Sequence, residues 1–152
     1  MLTATGTGAD RFYVMALEDF SEEYYCWYDG ACNSAIKNYS TVTSKDFGTG
    51  KKNTATMIEK WNNSEYGEQN TGTYDDMLGV IQNKVKEGWF VPSNGEWSAF
   101  GYNLEKYQGL TKRYYYYSSY NESNNVWEYT YDDMDGGCGI DGTSFVRLSI
   151  TF

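Results

Sequence analysis

The segment Gly88-Trp89-Phe90-Val91-Pro92-Ser93-Asn94-Gly95-Glu96-Trp97 constrains the fold more than any other stretch of the chain. Pro92 pushes Val91 out of helical geometry, so residues 89–91 are extended. Ser93 and Glu96, three residues apart, form a capping-box pattern. The serine hydroxyl can accept from the Glu96 amide, and the carboxylate can accept from the Ser93 amide. A helix is therefore expected from about 94 to 105, with Trp97, Phe100 and Leu104 as its apolar stripe. Upstream, Gly88 stands where a helix C-terminal glycine belongs. The helix it closes starts between Thr73 and Asp76 and carries Met77, Leu78, Ile81 and Val85 on one face. Core packing is the reading of all these apolar residues.

The rest of the chain divides around this unit. Residues 11–18 (RFYVMALE) read as a strand. Residues 19–50 are polar, aromatic and glycine-containing, and read as loops with one short strand or helix. Met57, Ile58 and Trp61 give residues 54–61 a helical stripe, with Asn53 or Thr54 as its cap and Asn62-Asn63-Ser64 as its end. From Arg113 onward the pattern is β, with strands expected over 113–119, 126–131 and 144–152. In the last, Val146, Leu148 and Ile150 alternate with Phe145, Arg147, Ser149 and Thr151, and should face the core. Residues 120–125 and the longer, glycine-rich 132–143 connect the strands. A strand, then helices, then antiparallel strands make an α+β fold with helices packed on a small antiparallel sheet. Long loops late in the chain are where function usually sits.

Composition removes several function classes. The 152 residues include no His, which rules out a Ser-His-Asp or Cys-His mechanism and a His-bearing zinc site. A net charge of −9, with only 12 basic residues, disfavours nucleic acid and anionic membranes. No apolar stretch approaches the length of a membrane-spanning helix. The three cysteines, Cys26, Cys32 and Cys138, match no redox or zinc spacing; Cys26 and Cys32 could pair across a short loop, but three unpaired thiols is the expectation. The length suggests one domain over 11–152. The opening, Met1 to Gly6, lacks the basic region and apolar run of a signal peptide, so residues 1–10 read as the linker end of a larger protein. The anomaly is tyrosine: eight of the 16 lie between Tyr107 and Tyr131. Tyrosine is a large, rigid contact residue with a polar tip, as used in paratopes, although a tyrosine-rich sheet core would have the same composition.

At residues 88–97 the chain resembles the GWF(V/L)PS…EW signature of bacterial and phage domains with a C-type-lectin-like fold. Tyr115-Tyr116-Tyr117-Ser118-Ser119-Tyr120, Val126-Trp127 and Val146-Arg147-Leu148 are similar to further segments of that group, so the likeness covers roughly residues 50–152. Tyrosine stands where the group usually has Trp or Ser. The stretch after Tyr131 resembles the variable proteins of diversity-generating retroelements, which rewrite adenines, largely in AAY asparagine codons. The products include Tyr, Asp, Ser, Gly, Cys, Ile and Thr, and nearly every residue from 135 to 144 is in that set. Glu122 and Glu128 fit adenine changes in lysine codons, whereas Met134 does not fit. The resemblance implies a variable region of about 113–144 closed by an invariant end, on a phage particle or bacterial cell surface.

The function so implied is a hypervariable module that binds a protein or cell-surface ligand, with no enzyme activity and no cofactor. Its candidate contacts are Tyr114, Tyr116, Tyr120, Asn121, Glu122, Glu128, Tyr129, Asp132, Asp133, Asp135, Ile140 and Asp141, with Tyr115 and Tyr117 as framework. Calcium is a competing use of Asp132, Asp133, Asp135 and Asp141, but the spacing is not an EF-hand and the lectin Glu-Pro-Asn, Gln-Pro-Asp and Trp-Asn-Asp motifs are missing. A non-diversified adhesin would share the fold and the exposed aromatics. An enzyme related to the formylglycine-generating enzymes would need a C-terminal cysteine pair, and only Cys138 lies in that region.

Overall fold

The computed structural model describes residues 2–3, 12–26, 42–65, 69, 74–107, 114–120, 126–130, 137–138 and 143–152. Side chains are described for 12–26, 42–65, 69, 74–100, 118–119 and 145–152. The architecture is α+β, with helices and small antiparallel sheets. Strands β1 (Leu2–Thr3), β2 (Phe12–Met15) and β8 (Ser149–Thr151) form one three-stranded sheet in the order β1-β2-β8. Strand β3 (Tyr25–Cys26) pairs with β7 (Thr143–Ser144). Strands β4 (Tyr114–Tyr120), β5 (Val126–Thr130) and β6 (Gly137–Cys138) form a second three-stranded sheet. The helices α1 (Gly50–Asn62), α2 (Met77–Val80), α3 (Gln82–Lys86) and α4 (Asn94–Tyr107) lie between β3 and β4 in sequence.

The core gathers residues from most of these elements: Tyr25, Met57, Trp61, Met77, Leu78, Ile81, Val91, Val146 and Leu148. Truncating one of the larger ones to Ala would cost about 2–5 kcal/mol. Gly88 closes α3 as expected. Its φ of +98° is left-handed, the Gly88 amide donates to Val85 O at 3.0 Å, and the Trp89 amide donates to Lys84 O at 3.0 Å. Those two bonds make a Schellman motif, which satisfies carbonyls the helix leaves open. The extended link that follows is pinned to β8 by reciprocal bonds between Phe90 and Ser149, each 2.8 Å.

Four local expectations are corrected. Helix α1 begins four residues earlier than the Thr54 stripe suggested, with Thr49 as N-cap. Asn53 and Thr54 are not caps but buried helical residues, each bonded to another element. The single helix expected from Asp76 to Gly88 is broken at Ile81, whose ψ of −8° is too flat to continue an α-helix. Asp76 does begin it, but its carboxylate accepts from the Trp61 indole (2.7 Å) instead of capping.

The fourth correction concerns the C-terminal end. The expected strand over 144–152 is split into β7 and β8, and Phe145 through Ser149 are all buried, so no alternation of faces survives there. Arg147, placed on the solvent side by alternation, is 1% exposed. Its guanidinium bonds Asp19 (Nε to Oδ1 2.8 Å, Nη2 to Oδ1 2.5 Å). Burial of a cation requires such a partner. Ile150, expected in the core, is only half-buried.

Candidate functional site

The capping box is the rigid base of the candidate site. The Ser93 amide donates to Glu96 Oε2 at 2.7 Å, and the Glu96 amide donates to Ser93 Oγ at 3.3 Å. The other carboxylate oxygen of Glu96 accepts from the Gly50 amide at 3.4 Å. One buried side chain thus caps two helices, its own α4 and the neighbouring α1. Helix N-termini favour a negative charge, but burial outweighs the hydrogen bonds from Ser93, Gly50 and Gly48 and pushes the Glu96 pKa above its ordinary 4.5. Only glycine fits at position 50, because a Cβ there would lie 2.2 Å from Glu96 Oε2 and 2.8 Å from Val91 O. The preceding loop closes over the same corner, with Ser93 Oγ donating to Asp46 O (2.8 Å) and the Gly95 amide to Lys45 O (2.8 Å).

Strand β4 hangs from this base by two serines. The Ser118 amide donates to Pro92 O at 2.8 Å, and Asn53 Nδ2 reaches Ser118 Oγ at 3.4 Å. Ser119 Oγ accepts from the amide of Asn94, the first residue of α4, at 3.1 Å. A strand residue therefore satisfies a helix N-terminal donor. Both serines are fully buried although they are adjacent. An ordinary strand alternates its faces. Here the register of β4 shifts between Tyr116 and Tyr120, and a bulge of this kind lets consecutive side chains turn the same way. Ser118, Ser119 and Asn53 position the strand, a role that their local sequence does not assign them. The Ser-Ser pair in the motif was the available signal.

The register sorts the candidate contacts. Tyr116 stands opposite Glu128, Tyr114 opposite Thr130 and Tyr120 opposite Val126. Directly opposed residues share a face, and so do alternate residues of β5. Tyr114, Tyr116, Tyr120 and Glu128 therefore form one row of the sheet. Tyr129 stands opposite Tyr115 in the alternate row, so it is not brought together with the other four. Asn121, Glu122, Asp132, Asp133, Asp135, Ile140 and Asp141 lie outside the described residues.

Among the described residues, the other acids with buried side chains are structurally committed: Asp19 to Arg147, and Asp76 to Trp61. Among the described residues no three of Cys, Asp and Glu are grouped as metal ligands, and no helix is long and apolar enough to cross a membrane. A separate cleft of about 170 Å³, bordered by Phe20, Lys84, Trp89 and Leu148, is smaller than the roughly 300 Å³ at which ligand pockets begin. Comparison with protein-family models, curated proteins and solved structures gives no match to this chain.

Proposed function

We propose that this chain is a hypervariable ligand-binding module with a C-type-lectin-like scaffold, carried on a phage particle or bacterial surface and directed at a protein or cell-surface ligand. It performs no catalysis and uses no cofactor. The observation that carries the reading is the attachment of β4. The tyrosine-rich strand is fixed through Ser118 and Ser119 to the corner built by Asn53, Pro92 and Asn94, while four candidate contacts fall in one row of the sheet on either side of that attachment. Contact residues on a sheet pinned at its root can change without disturbing the elements that hold it, which is what a diversified receptor needs. Tyr, Ser, Gly, Asp and Asn are the adaptable contact set. Among the described residues, the acids with buried side chains, Glu96, Asp19 and Asp76, have structural partners that account for them without catalysis.

The test is deep sequencing of this gene in its source population, codon by codon. Substitutions concentrated at adenine positions between codons 113 and 144, with constant codons for Ser93, Glu96 and Arg147, are expected. If codons 113–144 are as constant as those of the helices, the module is a fixed adhesin or an enzyme and the diversified reading is wrong.

A further inference from the structure

We propose that a second copy of this chain docks at the cleft beside the Asp19–Arg147 pair, with Leu17 of each copy entering the cleft of the other. The cleft has apolar walls from Ala16, Phe20, Trp89 and Leu148. Its volume of about 170 Å³ is too small for most ligands. An apolar cavity of roughly 150 Å³ takes up benzene, however, so this one has room for a single apolar side chain. Leu17 is a side chain of that size. It is 84% exposed, and its chain neighbours Ala16 and Glu18 both line the cleft.

A lone exposed leucine is ordinary, but this one is held out on a fixed turn. The Ala16 amide donates to Leu148 O at 2.9 Å, and the Phe20 amide donates to Val146 O at 2.7 Å. Between them Asp19 accepts from Arg147 Nε at 2.8 Å. A contact residue fixed in advance loses little freedom on binding. The charges at the rim complete the match. Glu18 and Lys84 are exposed and both border the cleft. Lys84 pairs with Glu87 at the surface, a kind of pair that contributes little and exchanges readily. Asp19 is already bonded to Arg147, so covering the cleft strands no charge.

This patch therefore carries a knob and a hole, and an acid and a base. It holds both halves of each contact, which is the condition for a two-fold interface. In such a dimer Glu18 of each copy faces Lys84 of the other. An unrelated protein would have to supply its own match to each feature. Two chains of net charge −9 repel one another, and the cleft is small, so the dimer belongs among weak associations. The inference is independent of the binding-module reading, which concerns the ribbon of β4 and β5.

The test is sedimentation velocity of the full chain from about 10 μM to about 1 mM in about 0.15 M salt. The wild type should move from one chain mass toward two. Leu17→Asp should weaken association by at least about tenfold, because the change counts twice in a two-fold dimer. Glu18→Lys and Lys84→Glu should each weaken it by roughly threefold to tenfold, and the double variant should restore it. An equimolar mixture of the two single variants should associate more than either alone. Glu18→Lys also lowers the net negative charge, so general repulsion alone would make that variant associate more tightly. Thermal unfolding of each variant checks that it is folded. A wild type that stays monomeric throughout overturns the inference. So does a dimer indifferent to Leu17→Asp, or one that the double variant does not restore.

Discussion

The corner where α1 meets α4 and the ribbon of β4 and β5 use hydrogen bonds in different ways. At the corner, Asn53, Thr54, Ser93 and Glu96 are buried, and each bonds at least one other element or loop. Along β4, the side-chain ties among the described residues sit at Ser118 and Ser119. The ladder between β4 and β5 is itself backbone pairing, which is indifferent to the side chain. A region held by side chains accepts few substitutions. Backbone pairing places no such demand on the side chains it carries. The contrast predicts a steep fall in mutational cost from the scaffold to the ribbon.

The largest cost is expected at the scaffold's buried ion pair. Arg147→Ala leaves Asp19, itself 6% exposed, without its cation, and should cost about 3–5 kcal/mol in urea unfolding. Replacing both partners with apolar residues should recover most of that loss. A cost below about 1 kcal/mol for Arg147→Ala would mean that the pair is solvated and that the scaffold is less demanding than its geometry implies. Gly50→Ala comes next. It raises helix propensity, yet its methyl would collide with the Glu96 carboxylate and the Val91 carbonyl. We expect a net loss of about 1–3 kcal/mol by thermal unfolding.

Ser119→Ala probes the seam between the two regions. It strips the acceptor from the Asn94 amide at the start of α4 and should cost about 1 kcal/mol, as the loss of a local cap would. Faster amide hydrogen exchange should appear in β4 as well as in the first turn of α4. Exchange confined to α4 would show that the ribbon is held elsewhere.

This seam also shows where sequence reasoning reaches its limit. The capping box, the Gly88 stop and the strands of the ribbon are local patterns, set by residues within a few positions of one another, and they appear where the pattern puts them. Thr54 has a hydroxyl that suits a cap, but it bonds back to Gly50 O within its own helix and to Val91, which is distant in sequence. Arg147 sits in an alternating pattern that predicts exposure, and only the proximity of Asp19 reverses it. The two-serine anchor needs a bulge, which alternation cannot foresee. For the candidate site, composition and resemblance indicate the segment, and pairing register separates Tyr129 from the other candidates in the ribbon.

Glu96 gives a smaller, pH-dependent difference, because burial and hydrogen bonding oppose each other at its carboxylate. Its folded pKa lies above the 4.5 of an unfolded glutamate, so the folded state holds the proton more tightly. The stabilisation from that proton is complete below the unfolded value and is lost as pH rises through the folded one. Glu96→Gln cannot titrate. The stability difference between wild type and Glu96→Gln should therefore shift in favour of wild type as pH falls through this window. Urea midpoints for both proteins from about pH 7 to pH 4 measure it. A constant difference would mean that the folded and unfolded pKa values coincide, the capping bonds balancing burial, and a shift against wild type would mean that those bonds outweigh it.

The smallest effect should lie on the contact face of the ribbon, and the order of its two faces decides its orientation. Tyr116 is in the row with Glu128, and Tyr115 is in the alternate row with Tyr129. If the Tyr116 row is the contact face, Tyr116→Ser should change stability by less than about 0.5 kcal/mol, as exposed substitutions do. Tyr115→Ser, on the framework row, should cost about 1–3 kcal/mol through lost apolar burial. Both variants keep the backbone ladder, so a difference between them reports the side chain's surroundings alone. The reverse order would turn the sheet over. Tyr115 and Tyr129 would then be the contacts, and Tyr114, Tyr116 and Glu128 would belong to the row turned to the scaffold.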